Sequence, residues 1–496
     1  MSDALKLGFA PFAVPARGVL VVFCDDRVKF GPATGKALGS AAGLVARAAK
    51  AERFTGKSGS ALELTMPEGL NLARLVVIGA GKAAGLEQKD LLKLGGLAMG
   101  KVPLAASEAT VFAELPGGAL KPAQAADLAQ GVQLRAYAFD RYKTKRKEDE
   151  TPPARRSVMI AVGDAAAARA AYATQQAIGD GVLMARDLVN EPANVLYPEE
   201  FARRTAALKK FGVAVEVLDL RAMKKLGMNA LLGVGQGSAR EARVVVMRWN
   251  GGKKGDAPVA FIGKGVCFDT GGISIKPALQ MDEMKYDMSG AAAVLGTFEA
   301  LGRLKPKLNV VGLVPSTDNM PSGAAVRPAD VVKSHAGKTI EIVNTDAEGR
   351  LILADALSYV RRYKPAAVLD AATLTGAALI VLGHAASAVM GTDDALVEEV
   401  RRAGDRAGER AWPLPMYEEY REQNKSDIAD VKNSGGRPAG TITAGWFLRE
   451  FAEGYPWAHL DVAGTAYSDT DAPPLPKGPA GVPTRLFVEF LLGRAR

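Results

Sequence analysis

The segment FIGKGVCFDTGGISIKP, residues 261–277, changes within a few positions from an apolar run to turns rich in glycine and charge. Its first residues have the aromatic and β-branched composition of a strand. Lys264 follows in a glycine-flanked turn, and Asp269 and Lys276 each lie beside turn-forming residues. This pattern predicts a buried strand that delivers charged side chains at its carboxyl end, where α/β sheets collect their ligand-binding groups.

Strand-like and helical patterns alternate along the rest of the chain. Short β-branched runs at 19–23 and 75–78 flank a helical pattern at 36–53, and Ser289 is predicted as the N-cap of a helix that runs to Arg303. This alternation predicts an α/β fold with a mostly parallel central sheet flanked by helices. Beyond Pro192, we predict strands at 213–217, 242–248, 259–263, 308–314, 339–343 and 367–370.

The length of 496 residues favours two domains over one. A polar stretch at 141–156 contains two prolines and shows no apolar periodicity, which indicates a junction. We therefore predict a smaller N-terminal α/β domain at 1–163, a linker helix at 164–192 and a larger C-terminal α/β domain at 193–496.

Composition excludes several classes of protein. Apolar residues at 48% and charged residues at 24% are typical of globular proteins. Cys24 and Cys267 are too few for a disulfide framework and fit a reducing compartment, and we recognise no secretory signal, so we expect the cytoplasm. Asp370 and several turn residues interrupt the apolar window at 366–390, which predicts a buried strand and core and not a membrane span.

Three further features have simpler explanations than function. The net charge of +9 leaves nucleic acid open as a partner but does not favour it, since the densest basic cluster, 141–147, is followed at once by acids. The glycines of VIGAGKAAG, residues 77–85, indicate a strand-to-helix turn, because no acidic strand end follows where a dinucleotide site needs one. Cys267 lies between apolar residues and is typical of a buried packing residue.

Two more charged segments accompany the first. MDEMKYDMSGAAA, residues 281–293, places Asp287 before a helix, and VNTDAEGRL, residues 343–351, places Asp346, Glu348 and Arg350 after a strand. Clustered carboxylates cannot all stay ionised unless cations hold them. The lysines and Arg350 could supply that charge in a buried ion network without a catalytic role. Divalent metal is favoured, because such clusters more often mark functional sites. Only three histidines are available, so carboxylates must dominate the ligands.

The run NTDAEGRL, residues 344–351, resembles the signature of the leucyl aminopeptidase family, and GKGVCFDTGGISIKP with MKYDMSG resembles its other metal-binding segment. LVNEPAN at 188–194, NSGGRPAGTITAGWFLREF at 433–451 and HLDVAGTAY at 459–467 extend the likeness in the same order. The resemblance covers most of residues 188–496. It implies a cytosolic metallo-exopeptidase whose catalytic domain lies at 193–496 and whose substrates are peptides.

The resemblance also implies roles for single residues. Asp269 and Glu348 would bridge two divalent ions, manganese or zinc, with Lys264 and Asp287 completing the shell of one ion and Asp346 that of the other. A ligating lysine must be deprotonated, and nearby cations favour that state.

Two catalytic residues and a substrate pocket complete the set that the resemblance implies. Lys276 and Arg350 would be catalytic without being permanent metal ligands, and Arg350 would hold a bicarbonate ion as the general base. Met284, Thr373 and Gly376 would contribute to an apolar pocket that prefers leucine and other hydrophobic residues. Members of the family are homohexamers, and the resemblance implies that state here.

Overall fold

The computed structural model describes residues 5–145, 153 and 155–495, and the chain forms two compact α/β units. Unit 1 comprises Met1–Gly179 and Thr470–Lys477, and unit 2 comprises Asp180–Asp469 and Gly478–Arg496. The division falls inside the long helix Ala165–Asn190, which covers most of the predicted linker. The domain limits at 163 and 192 stay predictions, and the predicted junction at 141–156 lies partly outside the described residues.

Unit 1 is built on a six-stranded sheet of order β1-β8-β5-β2-β4-β3, in which β3 alone pairs antiparallel. The six strands of this sheet are β1 Leu5–Pro11, β2 Val19–Cys24, β3 Ala61–Thr65, β4 Arg74–Gly79, β5 Glu108–Phe112 and β8 Arg156–Val162, and β6 Glu114–Leu115 and β7 Gly118–Ala119 form a separate two-stranded sheet. Its helices are α1 Pro32–Leu38, α2 Ala42–Ala51, α3 Gln88–Gly100, α4 Pro122–Arg135 and the start of α5 Ala165–Asn190. Strands β2 and β4 are buried almost throughout, as the apolar runs at 19–23 and 75–78 predict.

Unit 2 contains a nine-stranded sheet of order β18-β17-β20-β16-β11-β13-β10-β9, with β12 also pairing with β13. Its larger strands are β9 Ala214–Leu218, β10 Arg243–Asn250, β11 Val259–Gly263, β12 Gly265–Asp269, β13 Asn309–Asn319, β16 Ala367–Ala372, β17 Ser387–Gly391, β18 Ala411–Pro413 and β20 Trp457–Asp461. The four neighbouring strands β20, β16, β11 and β13 run parallel, which confirms the mostly parallel central sheet. The shorter strands are β14 Val331–Lys333, β15 Thr339–Glu341, β19 Val431–Lys432, β21 Tyr467–Ser468 and β22 Gly478–Pro479.

Helices cover both faces of this sheet. They are α6 Pro198–Thr205, α7 Leu220–Leu226, α8 Asn229–Gly235, α9 Ser289–Leu304, α10 Glu348–Val360, α11 Gly376–Leu382, α12 Asp394–Ala407, α13 Gly440–Arg449 and α14 Thr484–Arg494. Side chains alternate along β11, so Ala260 and Ile262 join a core that contains the apolar side of α10. Phe261 points to the other face and contacts Phe487 of α14, with ring centroids 4.4 Å apart.

Two local predictions are wrong. The predicted helix at 36–53 is broken, because Gly39 has a φ of 47°, which a right-handed helix cannot contain, and a 3₁₀ turn at Gly39–Ala41 separates α1 from α2. Ser289 is the first residue of α9 and not its N-cap, and its hydroxyl donates to the Tyr286 carbonyl at 2.5 Å. Within the described residues, we find no helix with the length and apolarity needed to cross a membrane.

Candidate metal centre

Lys264 lies at the carboxyl end of β11, where the strand meets the N-terminus of α9. Its backbone N–H donates to the Ala371 carbonyl of β16, and its backbone carbonyl accepts from the N–H of Ala291 in α9. A Cβ on Gly290 would lie 2.0 Å from the Ala371 oxygen, so only glycine lets α9 approach the sheet this closely. The backbone of the strand therefore places the lysine at the start of the helix.

The Lys264 ammonium is buried among three oxygen atoms. Nζ lies 2.7 Å from Asp287 Oδ1, 2.8 Å from Glu348 Oε1 and 2.8 Å from the Thr373 carbonyl oxygen. Burial lowers the pKa of this lysine, but Asp287, Glu348 and Asp269 outweigh burial and raise it overall. The side chain of Lys264 thus pairs with the two carboxylates beside it.

Lys276 connects the other two carboxylates. Its Nζ lies 2.8 Å from Asp269 Oδ2 and 2.5 Å from Asp346 Oδ1, and its side chain keeps 21% of its surface exposed. The loop before it turns back at Gly271, whose φ is 86°, and Lys276 N–H bonds to the Thr270 carbonyl. Gly271 also donates its N–H to Asp269 Oδ1 at 2.8 Å. The glycines of this segment therefore shape the turn that aims Lys276 back at Asp269.

The charged segment at 343–351 is held in place by Asn433. Its Oδ1 accepts from the N–H of Val343 at 2.9 Å and its Nδ2 donates to the Asn344 carbonyl at 2.7 Å. The loop so fixed presents Asp346, and α10 begins two residues later at Glu348. Arg350, in the first turn of α10, donates through Nη1 to the Asn433 carbonyl at 2.8 Å.

The carboxylates lie close enough to share cations. One ligand oxygen from each of Asp269, Asp346 and Glu348 lies within 4.8 Å of the others. Burial, together with the neighbouring carboxylates, raises the pKa of Asp287, Asp346 and Glu348, although the lysines oppose this. Among the residues that the structure describes, Asp287 Oδ2 is buried without a hydrogen-bond donor. Oxygen ligands and an orphaned buried carboxylate oxygen fit a divalent metal site.

Of the predicted site residues, the structure brings six together in two contact groups: Lys264 with Asp287 and Glu348, and Lys276 with Asp269 and Asp346. Arg350 is buried nearby, where burial lowers its pKa to about 10 and Glu348, Asp461 and Asp346 oppose the change. Thr373 also reaches the cluster, because its Oγ1 donates to Asp287 Oδ1 at 2.7 Å.

The other two predicted pocket residues lie near the cluster along the chain. Met284 is half-buried on the 3₁₀ helix Met281–Met288, three residues before Asp287. Gly376 is exposed at the first position of α11, three residues after Thr373. Among the described hydrogen bonds and ion pairs, neither residue is a partner of the carboxylates, so their part in a pocket stays a prediction.

Several polar residues around the cluster have no role in the sequence-based prediction. Asn319, at the end of β13, donates to Asp269 Oδ1 at 2.8 Å, and Asn433 holds the Asp346 loop. Asp370 and Asp461 are buried near the ends of β16 and β20. The available signal was a polar side chain at the carboxyl end of an apolar strand, the same signal that singled out Lys264.

Fold and site together define an α/β protein with a divalent-metal centre, and comparison with known proteins identifies its family. The sequence profile of the cytosol aminopeptidase family matches with its catalytic domain at residues 183–488 and its N-terminal domain at 21–146. A "Probable cytosol aminopeptidase" of Rhodopseudomonas palustris strain TIE-1 is 56% identical over 467 residues, which cover 94% of this chain and 93% of the relative. Its counterpart from strain BisB18 is 58% identical and covers 94% of both chains.

Solved structures agree with the sequence relatives. A tomato leucine aminopeptidase mutant superposes with a TM-score of 0.87 at 30% identity, covering 99% of this chain and 98% of the other. The bottromycin maturation enzyme BotP in complex with Mn gives 0.84 at 32% identity, covering 97% and 100%. The chain belongs to the cytosol aminopeptidase family. It is a metallo-exopeptidase, a hydrolase that uses divalent metal as cofactor and acts on peptides.

Proposed function

We propose that the carboxylate cluster holds two divalent ions, manganese or zinc, with which the enzyme releases N-terminal residues from peptides. Asp269 and Glu348 would bridge the ions, Lys264 and Asp287 would complete one shell, and Asp346 would complete the other. The observation that carries this proposal is the convergence of Asp269, Asp346 and Glu348 within 4.8 Å. When bound, such ions supply Lewis acidity and lower the pKa of a water molecule far enough for it to attack a peptide carbonyl near neutral pH.

Lys276 is the proposed donor to the substrate carbonyl. Its ammonium is held by Asp269 and Asp346 yet remains partly exposed, so a peptide oxygen can reach it. Burial lowers the pKa of Lys276, but Asp269, Glu348 and Asp346 raise it overall, which favours the ammonium form. A fixed cation beside the carbonyl stabilises the negative charge that develops on the oxygen in the transition state.

Arg350 is the proposed holder of a bicarbonate ion that serves as general base. One side of its guanidinium is committed to the Asn433 carbonyl. Its Nε is buried, and no acceptor for it exists among the described residues. A planar guanidinium with a free donor suits a planar anion such as bicarbonate. The pKa of about 10 keeps Arg350 charged at neutral pH.

We assign the substrate pocket to Met284, Thr373 and Gly376 and propose a preference for leucine and other hydrophobic residues. Thr373 supports this assignment, since it contacts both Lys264 and Asp287. An apolar pocket discriminates by only about 1–3 kcal/mol for each methylene group, so the preference should be broad. A panel of aminoacyl anilides tests it, and faster cleavage of lysyl or glutamyl anilide than of leucyl anilide would contradict it.

The central experiment compares the wild type with Asp346→Asn, measuring leucyl anilide hydrolysis and metal content on the same samples. We expect the variant to lose one ion and nearly all turnover, because an amide replaces a charged ligand. Asp394→Asn is the matched control, since Asp394 is exposed at the start of α12 and should keep both ions. Full turnover of Asp346→Asn with normal metal content would refute the assignment.

We also propose a cytoplasmic homohexamer. Exposed apolar side chains on α11, among them Ile380 with 84% of its surface exposed, support burial against another subunit. Two free, buried cysteines fit a reducing compartment. Light scattering should give six times the mass of one chain, and Ile380→Glu should lower that mass. A monomeric wild type would contradict the proposal.

A further inference from the structure

Asp461 is a buried carboxylate at the end of β20, and it holds the loop that follows the neighbouring strand β16. Only 1% of the residue is exposed. Its Oδ1 accepts from the N–H groups of Leu374 and Ala463, both at 3.2 Å, and its Oδ2 accepts from Thr375 Oγ1 at 2.7 Å. Three donors from two loops thus converge on one side chain.

The loop held by Asp461 contacts the metal cluster through Thr373. The Thr373 carbonyl accepts from Lys264 Nζ at 2.8 Å, and its hydroxyl donates to Asp287 Oδ1 at 2.7 Å. Thr373 precedes Leu374, so the peptide that Asp461 anchors is directly joined to the residue that orients both side chains. The contacts of Asp346 are of another kind, because Lys276 pairs with its carboxylate and its backbone N–H donates to Asn344 Oδ1.

Thr375 links the same loop to two helices. Its hydroxyl accepts from Ala378 N–H at 3.1 Å as the N-cap of α11 and lies 2.9 Å from the hydroxyl of Thr441 in α13. A hydroxyl that also donates to Asp461 has little freedom to rotate. The loop is therefore held at Leu374 and Thr375 by Asp461, and at Thr373 by Lys264 and Asp287.

We propose that Asp461 is a positioning residue of the metal centre, which fixes Thr373 so that Lys264 and Asp287 are aligned to ligate one of the two ions. The inference rests on the proposed two-ion function and specifies which ion depends on Asp461. Groups that orient metal ligands typically contribute 10-fold to 100-fold to metal affinity. The ion completed by Asp346 does not depend on this loop, so the effect falls on one ion alone.

Titration of the metal-free enzyme with Mn²⁺, followed by calorimetry, tests the inference. We expect two ions for the wild type. For Asp461→Ala, we expect one ion at unchanged affinity and the other bound about 10-fold to 100-fold more weakly. Asp461→Asn should recover most of the affinity, because its amide oxygen can still accept from Leu374 while its amide nitrogen donates to Thr375. If Asp461 only stabilised the fold, Asp461→Ala would not weaken one ion selectively, and Asp461→Asn would not restore the affinity for that ion.

Asp355→Ala is the matched control. Asp355 is equally buried in unit 2 and also holds loop backbone, accepting from Leu231 N–H at 2.9 Å and His335 N–H at 2.7 Å. Asp355→Ala should lower the melting temperature and leave both ions bound. Two ions at wild-type affinity in Asp461→Ala would overturn the inference, whereas fewer than two in the wild type would overturn the proposed function instead. If Asp461→Ala does not fold, Thr375→Val removes one donor to Asp461 and must weaken the same ion.

Discussion

His459 and Asp370 form a completely buried pair on the neighbouring parallel strands β20 and β16. Nδ1 of the imidazole lies 2.6 Å from Asp370 Oδ1, and Trp457 Nε1 donates to the other carboxylate oxygen at 2.7 Å. Burial lowers the pKa of His459, but Asp370 more than offsets this and raises it overall. Two strands of the sheet below the metal centre are thus joined by side chains as well as by their backbone.

His459→Ala should be strongly destabilising. The change leaves the Asp370 carboxylate buried without its imidazole partner, which typically costs about 3–5 kcal/mol of unfolding free energy. Urea unfolding monitored by tryptophan fluorescence measures the loss. Glu399→Gln is the control, since it breaks the exposed pair with Arg494 and should cost less than about 1 kcal/mol. Losses of the same small size in both variants would show that the buried pair is unimportant.

Asp355 should make stability depend on pH. Burial raises its pKa to about 7 from 3.8, and backbone N–H groups only partly oppose this. The folded protein therefore binds this proton more tightly than the unfolded chain does. The contribution to stability is present below about pH 4 and is lost as the pH rises towards 7. The difference in unfolding free energy between wild type and Asp355→Asn should fall across that interval, and a flat difference would contradict the assignment.

Gly349→Ala should separate metal binding from folding. A Cβ at this position would lie 2.7 Å from Lys264 Cε and 2.8 Å from its Nζ, so the end of the lysine must move. Alanine favours the helix, which partly offsets the cost of displacing Lys264 from its buried contacts, so the variant should still fold, with a melting temperature below that of the wild type. Mn²⁺ affinity and leucyl anilide turnover should each fall at least about 10-fold. Gly323→Ala has open space around its Cβ and should match the wild type in all three measurements.

The two thiols should be unreactive in the folded enzyme. Burial and the neighbouring Asp25 raise the pKa of Cys24 to about 12, and burial also raises the pKa of Cys267. Since only the thiolate reacts, Ellman's reagent at pH 8 should label neither residue until guanidinium is added, when two thiols appear. Rapid labelling of the native enzyme would contradict the burial. Cys267→Ala should retain turnover, as expected of a packing residue.

The sequence by itself determined the fold class and the chemistry of the site. An apolar run at 259–263 followed by glycines predicts a strand that ends before Lys264, because turn formation depends on local residue types. Asp269, Asp287, Asp346 and Glu348 are carboxylates, the side chains that hard divalent ions prefer, whatever their partners are. These properties are local in the chain, and so a reader of the sequence can recover them.

Only the tertiary structure decided which residues support that site. Asn319 bonds to Asp269 across 50 positions, and Asp461 bonds to Thr375 across 86. Such pairs depend on strand order and register, which apolar periodicity does not specify. The tertiary contacts also decided that Lys264 pairs with Asp287 and Glu348 while Lys276 pairs with Asp269 and Asp346, because side chains from distant loops meet only where parallel strands end at one edge of the sheet.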